Sequence, residues 1–139
     1  MANFMFGNKS IYNEEYGQGE PLILLNGIMM SCMSWAEFIE PFSTHNRLIL
    51  VDFLDQGRSA RMDDCVEYSQ AIQVEVVYSL MKHLNLKKAS IMGISYGGEV
   101  ALRFAVKYQE KVEKLMLFNT TARTGEWLGD IGNSWIKAE

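Results

Sequence analysis

Gly93-Ile94-Ser95-Tyr96-Gly97 has the residue types and spacing for covalent chemistry. The apolar stretch Lys88-Ala89-Ser90-Ile91-Met92 precedes it and reads as a short strand. Gly98 to Tyr108 follows as a helix, with Ala101, Phe104, Ala105 and Tyr108 on one face. A serine at so tight a strand-to-helix reversal adopts a strained backbone and projects clear of the sheet, where its hydroxyl can attack an acyl carbon. Gly93 and Gly97 suit the positions where a Cβ would strike the neighbouring strand or helix. The Tyr96 N–H, at the mouth of the helix, is then a donor for a developing oxyanion, and the helix dipole adds partial positive charge. A chain of this size carries Gly-x-Ser-x-Gly by accident roughly 5% of the time, and the flanking strand and helix narrow that several-fold. The competing reading is a plain turn or a phosphate-binding loop, but no Gly-x-Gly-x-x-Gly or Walker lysine supports the latter.

The elements that must position this serine are legible in the same way. Ile11 to Tyr16 alternates and reads as a strand, followed by the turn residues Gly17-Gln18-Gly19-Glu20-Pro21. Leu22 to Leu25, Arg47 to Val51 and Val112 to Phe118 are short apolar runs of the kind covered on both faces of a sheet. Between them, Ser34 or Trp35 to Phe42 reads as a helix stopped near Pro41. Ser69 to Leu84 reads as a second helix, with Ser69 as N-cap and Ile72, Val76, Leu80 and Leu84 recurring every fourth residue. Buried strands alternating with amphipathic helices predict an α/β protein with a mostly parallel sheet flanked by helices. Ligands bind such sheets beyond the carboxyl ends of the strands, which draws attention to Asn26–Ser34, Asp52–Ser59 and Gly93–Gly97.

Composition narrows the function classes. The chain has 139 residues, 48% hydrophobic and 22% charged, with a net charge of −4. It therefore offers no basic footprint for nucleic acid or an anionic membrane, and no apolar run approaches the ~20 residues of a bilayer span. Met1 to Phe6 has no charged n-region or cleavage site, so the expected location is cytoplasmic. Cys32 and Cys65 are too few and too far apart for a disulfide framework or a zinc site, and read as free thiols. No metal or organic cofactor is expected.

Asn26-Gly27-Ile28-Met29-Met30-Ser31-Cys32-Met33-Ser34-Trp35 follows the strand Leu22–Leu25, and here the chain resembles the α/β-hydrolase family. In that family a His-Gly pair after the third strand opens the oxyanion loop, and a Trp starts the first helix. The resemblance implies that Ser95 is the nucleophile and that Ile28 N–H is the second oxyanion donor beside Tyr96. Gly27 would let the backbone approach the substrate. Asn26 stands in place of the His and reads as a structural amide. Met29, Met30 and Met33 are equally consistent with an adaptable acyl pocket or with packing. Gly27, Met29 and Trp127 are the expected substrate-binding residues. Asp52-Phe53-Leu54-Asp55-Gln56-Gly57-Arg58-Ser59 resembles the turn after the family's fourth strand. Its Asp52 reads as a brace for the loop backbone and Arg58 rather than as a triad acid. Tyr108-Gln109-Glu110-Lys111-Val112 adds to the likeness.

The family's triad order is Ser, then Asp or Glu, then His. The only histidines, His45 and His83, precede Ser95 and read as structural, and Asn119 occupies the variant acid position. The expected organisation is therefore residues 1–118 as the N-terminal part of the hydrolase core, its last strands lacking, and 119–139 as the start of a lid. In that lid Trp127, Leu128, Ile131 and Trp135 share a helical face. The expected activity is hydrolysis of an ester, amide or C–C bond in a small molecule, with the chain alone inactive for want of a base. The alternative is a non-catalytic half-domain or assembly module that needs a partner chain. Carboxylesterase, C–C hydrolase, lactonase, peptidase and cofactor-free haloperoxidase remain open, whereas a haloalkane dehalogenase would carry Asp where this chain has Ser95. An apolar strand left at the sheet edge predicts a homo-oligomer through 112–118 or 119–139.

Overall fold

A computed structural model of the chain describes residues 2–62, 69–123, 125 and 126. The chain builds a six-stranded sheet from β1 (Ala2–Phe6), β2 (Lys9–Tyr16), β3 (Glu20–Leu25), β4 (Asn46–Val51), β5 (Ala89–Ile94) and β6 (Val112–Phe118). Their order across the sheet is β1-β2-β4-β3-β5-β6. β4, β3, β5 and β6 are mutually parallel, while β1 and β2 run antiparallel at one end. The mostly parallel α/β architecture expected from the sequence is the one observed.

Successive strand residues point to opposite faces, and each face has its own cover. Ile23, Leu25, Ile49, Val51 and Ile91 pack with the helices α2 (Gln70–His83) and α3 (Tyr96–Lys107), through Val76, Val77, Leu80, Val100 and Phe104. Leu22, Leu24, Leu48, Leu50 and Met92 pack on the other face against Cys32 and Trp35. Full burial of one such aliphatic side chain stabilises by about 1.5–3 kcal/mol, so the two-faced core dominates the stability of the sheet.

Two elements depart from the sequence reading. β1 is an added antiparallel edge strand, in which Phe4 alone is buried and stacks on the His83 ring at 5.4 Å. The first helix is a 3₁₀ segment, Cys32–Phe38, running into a short α1 (Ile39–Ser43). Pro41 does not stop it, because Pro41 falls in the first turn of α1, where its missing N–H has no carbonyl to serve. Ser69 takes the N-cap position of α2 with an extended backbone, although its hydroxyl makes no capping bond.

The register brings the important loops together. Leu24 of β3 lies opposite Leu50 of β4 and Met92 of β5. Asn26, Asp52 and Ile94 each come two residues later, so the loops that follow leave the sheet at one edge. His45 precedes β4 and His83 precedes β5, so both belong to the opposite edge, and both are exposed. β6 closes the described sheet, and Leu115, Leu117 and Phe118 remain 36, 38 and 50% exposed. None of the described helices is long and apolar enough to cross a membrane.

Candidate active site

Ser95 is the exposed hinge between β5 and α3, with φ 52° and ψ −121°. A non-glycine residue in that region costs on the order of 1–3 kcal/mol and persists only where its surroundings over-determine it. Here they do. Ser95 N–H donates to the Phe118 carbonyl at 2.9 Å. Its own carbonyl accepts from Gly98 N–H at 2.8 Å, Glu99 N–H at 3.2 Å and the Thr120 hydroxyl at 2.8 Å. Thr120 also packs on Gly98, where a Cβ would come within 2.6 Å of its side chain. Sequence reading missed Thr120; the only signal was a small polar residue just beyond a strand end.

The loop after β3 runs beside this serine. A Cβ built on Gly27 would lie 3.5 Å from Ser95 Cβ and 3.5 Å from the Ile94 carbonyl oxygen. The next residue, Ile28, is 69% exposed, and among the described residues no backbone carbonyl accepts its N–H. Tyr96 begins α3, and its ring meets Phe53 edge-on. Ser95, Tyr96, Ile28 and Gly27 are therefore brought together at one edge of the sheet. A cleft of about 580 Å³ opens there, lined by Ile28, Met29, Met30, Gln56, Arg61 and Tyr96 among others. A larger hollow of about 750 Å³ lies along α2 and α3, with Gln70, Glu99 and Arg103 in its wall, and includes none of these four residues. The smaller cleft is the one adjacent to the serine.

The three loop methionines divide. Met29, at φ 61° and 96% exposed, projects into solvent at the cleft. Met33 is 72% exposed. Met30 turns inward, its sulfur 3.2 Å from Gly27 N and its side chain against the Trp35 cluster. Trp127, expected as a substrate contact, lies outside the described residues, as do Cys65 and most of 119–139.

Buried polar groups hold the loops in place. Asn26 is fully buried; its amide N–H groups donate to the Val51 carbonyl at 2.9 Å and to Gln56 Oε1 at 3.3 Å. Its oxygen accepts the Trp35 indole N–H at 2.7 Å. Asp52, 1% exposed, accepts Cys32 N–H at 2.7 Å and Arg58 N–H at 2.9 Å. Asp52 thus braces two loops, as its position after β4 suggested.

A second buried carboxylate, Glu14 of β2, accepts the Tyr12 and Tyr16 hydroxyls at 2.6 and 2.7 Å. The Arg58 guanidinium covers the Tyr12 ring and hydrogen-bonds its hydroxyl. Hydrogen bonding to Glu14, with burial behind it, pushes Tyr16 up to about 12. Burial first, then the Asp52 carboxylate, pushes the Cys32 thiol up, as suits a packed side chain in the Trp35 cluster. Glu14 and its tyrosines were not singled out in the sequence, because alternating Tyr and Glu on a strand look like a solvated face.

A mostly parallel sheet that presents a strained, exposed serine between a strand and a helix, with a peptide loop alongside, is the strand-turn-helix geometry of the α/β-hydrolase fold. The chain belongs to the alpha/beta hydrolase fold family, whose sequence profile matches residues 20–136. It is 33% identical over 110 residues to the 2-hydroxy-6-oxo-6-(2'-aminophenyl)hexa-2,4-dienoic acid hydrolase of Metapseudomonas resinovorans, a match covering 76% of this chain and 37% of that protein. It is 32% identical over 121 residues to the pimeloyl-[acyl-carrier protein] methyl ester esterase of Nitrosomonas europaea, covering 85% of this chain and 45% of that one. Among solved structures it resembles MGS-M2, an alpha/beta hydrolase enzyme from a Medee basin deep-sea metagenome library. That match has a TM-score of 0.92 at 40% identity and covers 99% of this chain and 50% of MGS-M2. The chain thus spans less than half the length of these two curated relatives and half of the solved one.

Proposed function

We propose that this chain carries the nucleophile half of a serine hydrolase acting on an ester, amide or C–C bond of a small molecule. The observation that carries this reading is Ser95 itself, exposed at φ 52° with the Gly27–Ile28 peptide against it. Ser95 Oγ attacks the carbonyl carbon, its proton passes to a general base, and the carbonyl oxygen takes the charge. Tyr96 N–H and Ile28 N–H receive that oxyanion, while Gly27 and Met29 border the substrate. Both histidines stand at the far edge of the sheet, so neither is assigned as that base, and this reading takes the base from a further segment or a partner chain. The hydrolase and esterase names of the relatives support the reaction class. A cytoplasmic location is part of the proposal.

In the serine-hydrolase template, loss of the histidine costs on the order of 10⁶ in turnover. An oxyanion hole and binding alone retain about 10³–10⁴ over water. The 139-residue chain is therefore expected to turn over p-nitrophenyl acetate negligibly. A fluorophosphonate probe is expected to label Ser95 slowly, and Ser95→Ala to abolish that labelling, read by intact mass. Esterase-level turnover that disappears in Ser95→Ala would overturn the inactivity of the isolated chain. Equal labelling of both proteins would overturn the nucleophile.

A second reading, an assembly module that uses its open strand edge, is favoured by the apolar side chains left exposed on β6. It implies a homo-oligomer through 112–118 or 119–139. Labelling of Ser95 only when a second polypeptide is added supports this version, and a monodisperse monomer in light scattering removes the homo-oligomer.

A further inference from the structure

Gln56 lies in the turn after β4, and its amide reaches across to the loop after β3. Its Nε2 donates to the Gly27 carbonyl oxygen at 3.0 Å. That carbonyl belongs to the same peptide unit as the Ile28 N–H. In a trans peptide the C=O and N–H point in opposite directions, so holding the oxygen also aims the hydrogen. We propose that Gln56 is a positioning residue that orients the Gly27–Ile28 peptide and so directs the Ile28 N–H at Ser95. The catalytic consequence rests on the serine-hydrolase reading above, while the peptide orientation does not.

The orientation of the Gln56 amide follows from its neighbours at both ends. The Trp35 indole N–H can only donate, so the Asn26 group facing it at 2.7 Å is the oxygen. The Asn26 amide nitrogen then faces the Val51 carbonyl at 2.9 Å and Gln56 at 3.3 Å. Gln56 must present its oxygen to Asn26 and its nitrogen to the Gly27 carbonyl, which can only accept. The chain Trp35, Asn26, Gln56, Gly27 thus runs donor to acceptor without conflict, and each link polarises the next.

This peptide needs the restraint. Glycine on one side leaves it free to rotate, and Met29 two residues on sits at φ 61°. The Gly27 carbonyl also accepts Met30 N–H at 3.3 Å, which belongs to the same loop and moves with it. Gln56 is the tie from outside the loop, on a turn that Asp52 holds. Its position also lines the cleft beside Tyr96 and Ile28.

The test uses the full chain, isotope-labelled, as wild type and as Gln56→Met, Gln56→Glu and Ser95→Ala. In Gln56→Met the Gly27 carbonyl carbon is expected to move upfield and the Ile28 amide peak to shift, while the Trp35 indole peak stays in place. Gln56→Glu is expected to match Gln56→Met near neutral pH, where a carboxylate has no proton to donate. It should return toward wild type on acidification, when the carboxyl group regains a donor. Phenylboronic acid, which forms a tetrahedral adduct on a serine, is expected to bind Gln56→Met roughly 10- to 100-fold more weakly than wild type. Unchanged Gly27 and Ile28 resonances in Gln56→Met would overturn the proposal, as would equal boronate affinity where binding depends on Ser95. If the fluorophosphonate probe labels wild type and Ser95→Ala alike, the nucleophile reading fails instead, and the two resonances still decide the role of Gln56.

Discussion

Gly97→Ala is expected to destabilise the chain by about 3 kcal/mol or more, read as a fall in the urea midpoint at unchanged slope. A Cβ at this position would sit 2.2 Å from the Leu25 carbonyl oxygen, 2.5 Å from the Leu25 carbonyl carbon and 2.6 Å from the Asn26 carbonyl oxygen. All three are backbone atoms of β3 and its exit, so no side chain can rotate away. The substitution gains up to about 1 kcal/mol of helix propensity in α3, which is too little to offset the collision. Relief requires α3 and β3 to separate, and that moves Ser95 away from Gly27. Gly93 is closed in the same way: a Cβ there would lie 2.4 Å from the Gly97 carbonyl oxygen. Gly125→Ala is the control: among the described residues no atom lies within 4 Å of its added Cβ, and its stability is expected to change by less than about 0.5 kcal/mol.

Asp52→Ala is expected to cost about 3 kcal/mol or more, by the same measurement. The carboxylate has 1% exposure and is the acceptor for Cys32 N–H at 2.7 Å and Arg58 N–H at 2.9 Å. A buried donor left without a partner costs about 1–3 kcal/mol, and here the buried Cys32 N–H is orphaned together with the part-buried Arg58 N–H. Asp52→Asn keeps one acceptor oxygen and turns an NH₂ group toward the other N–H, so it should recover only part of the loss. The local fold makes the carboxylate hard to replace: Gly57, at φ 47°, brings the turn so close that its Cβ would lie 2.0 Å from Asp52 Oδ2. Because Gln56 precedes Gly57, collapse of this turn should also displace the Gly27 carbonyl, visible as loss of its wild-type resonance in both variants.

The strand, turn and helix around Ser95 were legible because each carries a local signal. Leu22–Leu25 is apolar at every position and is buried on both faces. Ile72, Val76, Leu80 and Leu84 predicted α2 within a residue at each end. β6 was predicted at Val112–Phe118 and is observed there. β1 was not legible, since one buried phenylalanine in five residues gives no alternation to read. Ser34 or Trp35 to Phe42 reads as one helix, whereas the chain forms a 3₁₀ segment Cys32–Phe38 and a short α1, because the sequence does not distinguish i+3 from i+4 bonding. Asp52 could be weighed as a brace from its place after a strand, but its two donors come from residues 20 positions before and six after it.

By itself the sequence determined the α/β alternation, the family, and the place of Ser95 between a strand and a helix. Periodicity and turn chemistry are written in residues close together, and each can be read without knowing its neighbours in space. Only the tertiary structure decided how the loop after β3 meets the serine. Trp35, Asn26, Gln56 and Gly27 are tied by bonds spanning nine to 30 residues. The same structure put both histidines at the opposite edge of the sheet from Ser95. Parallel strands force that separation, because every crossover helix carries the chain back to the edge where the next strand begins.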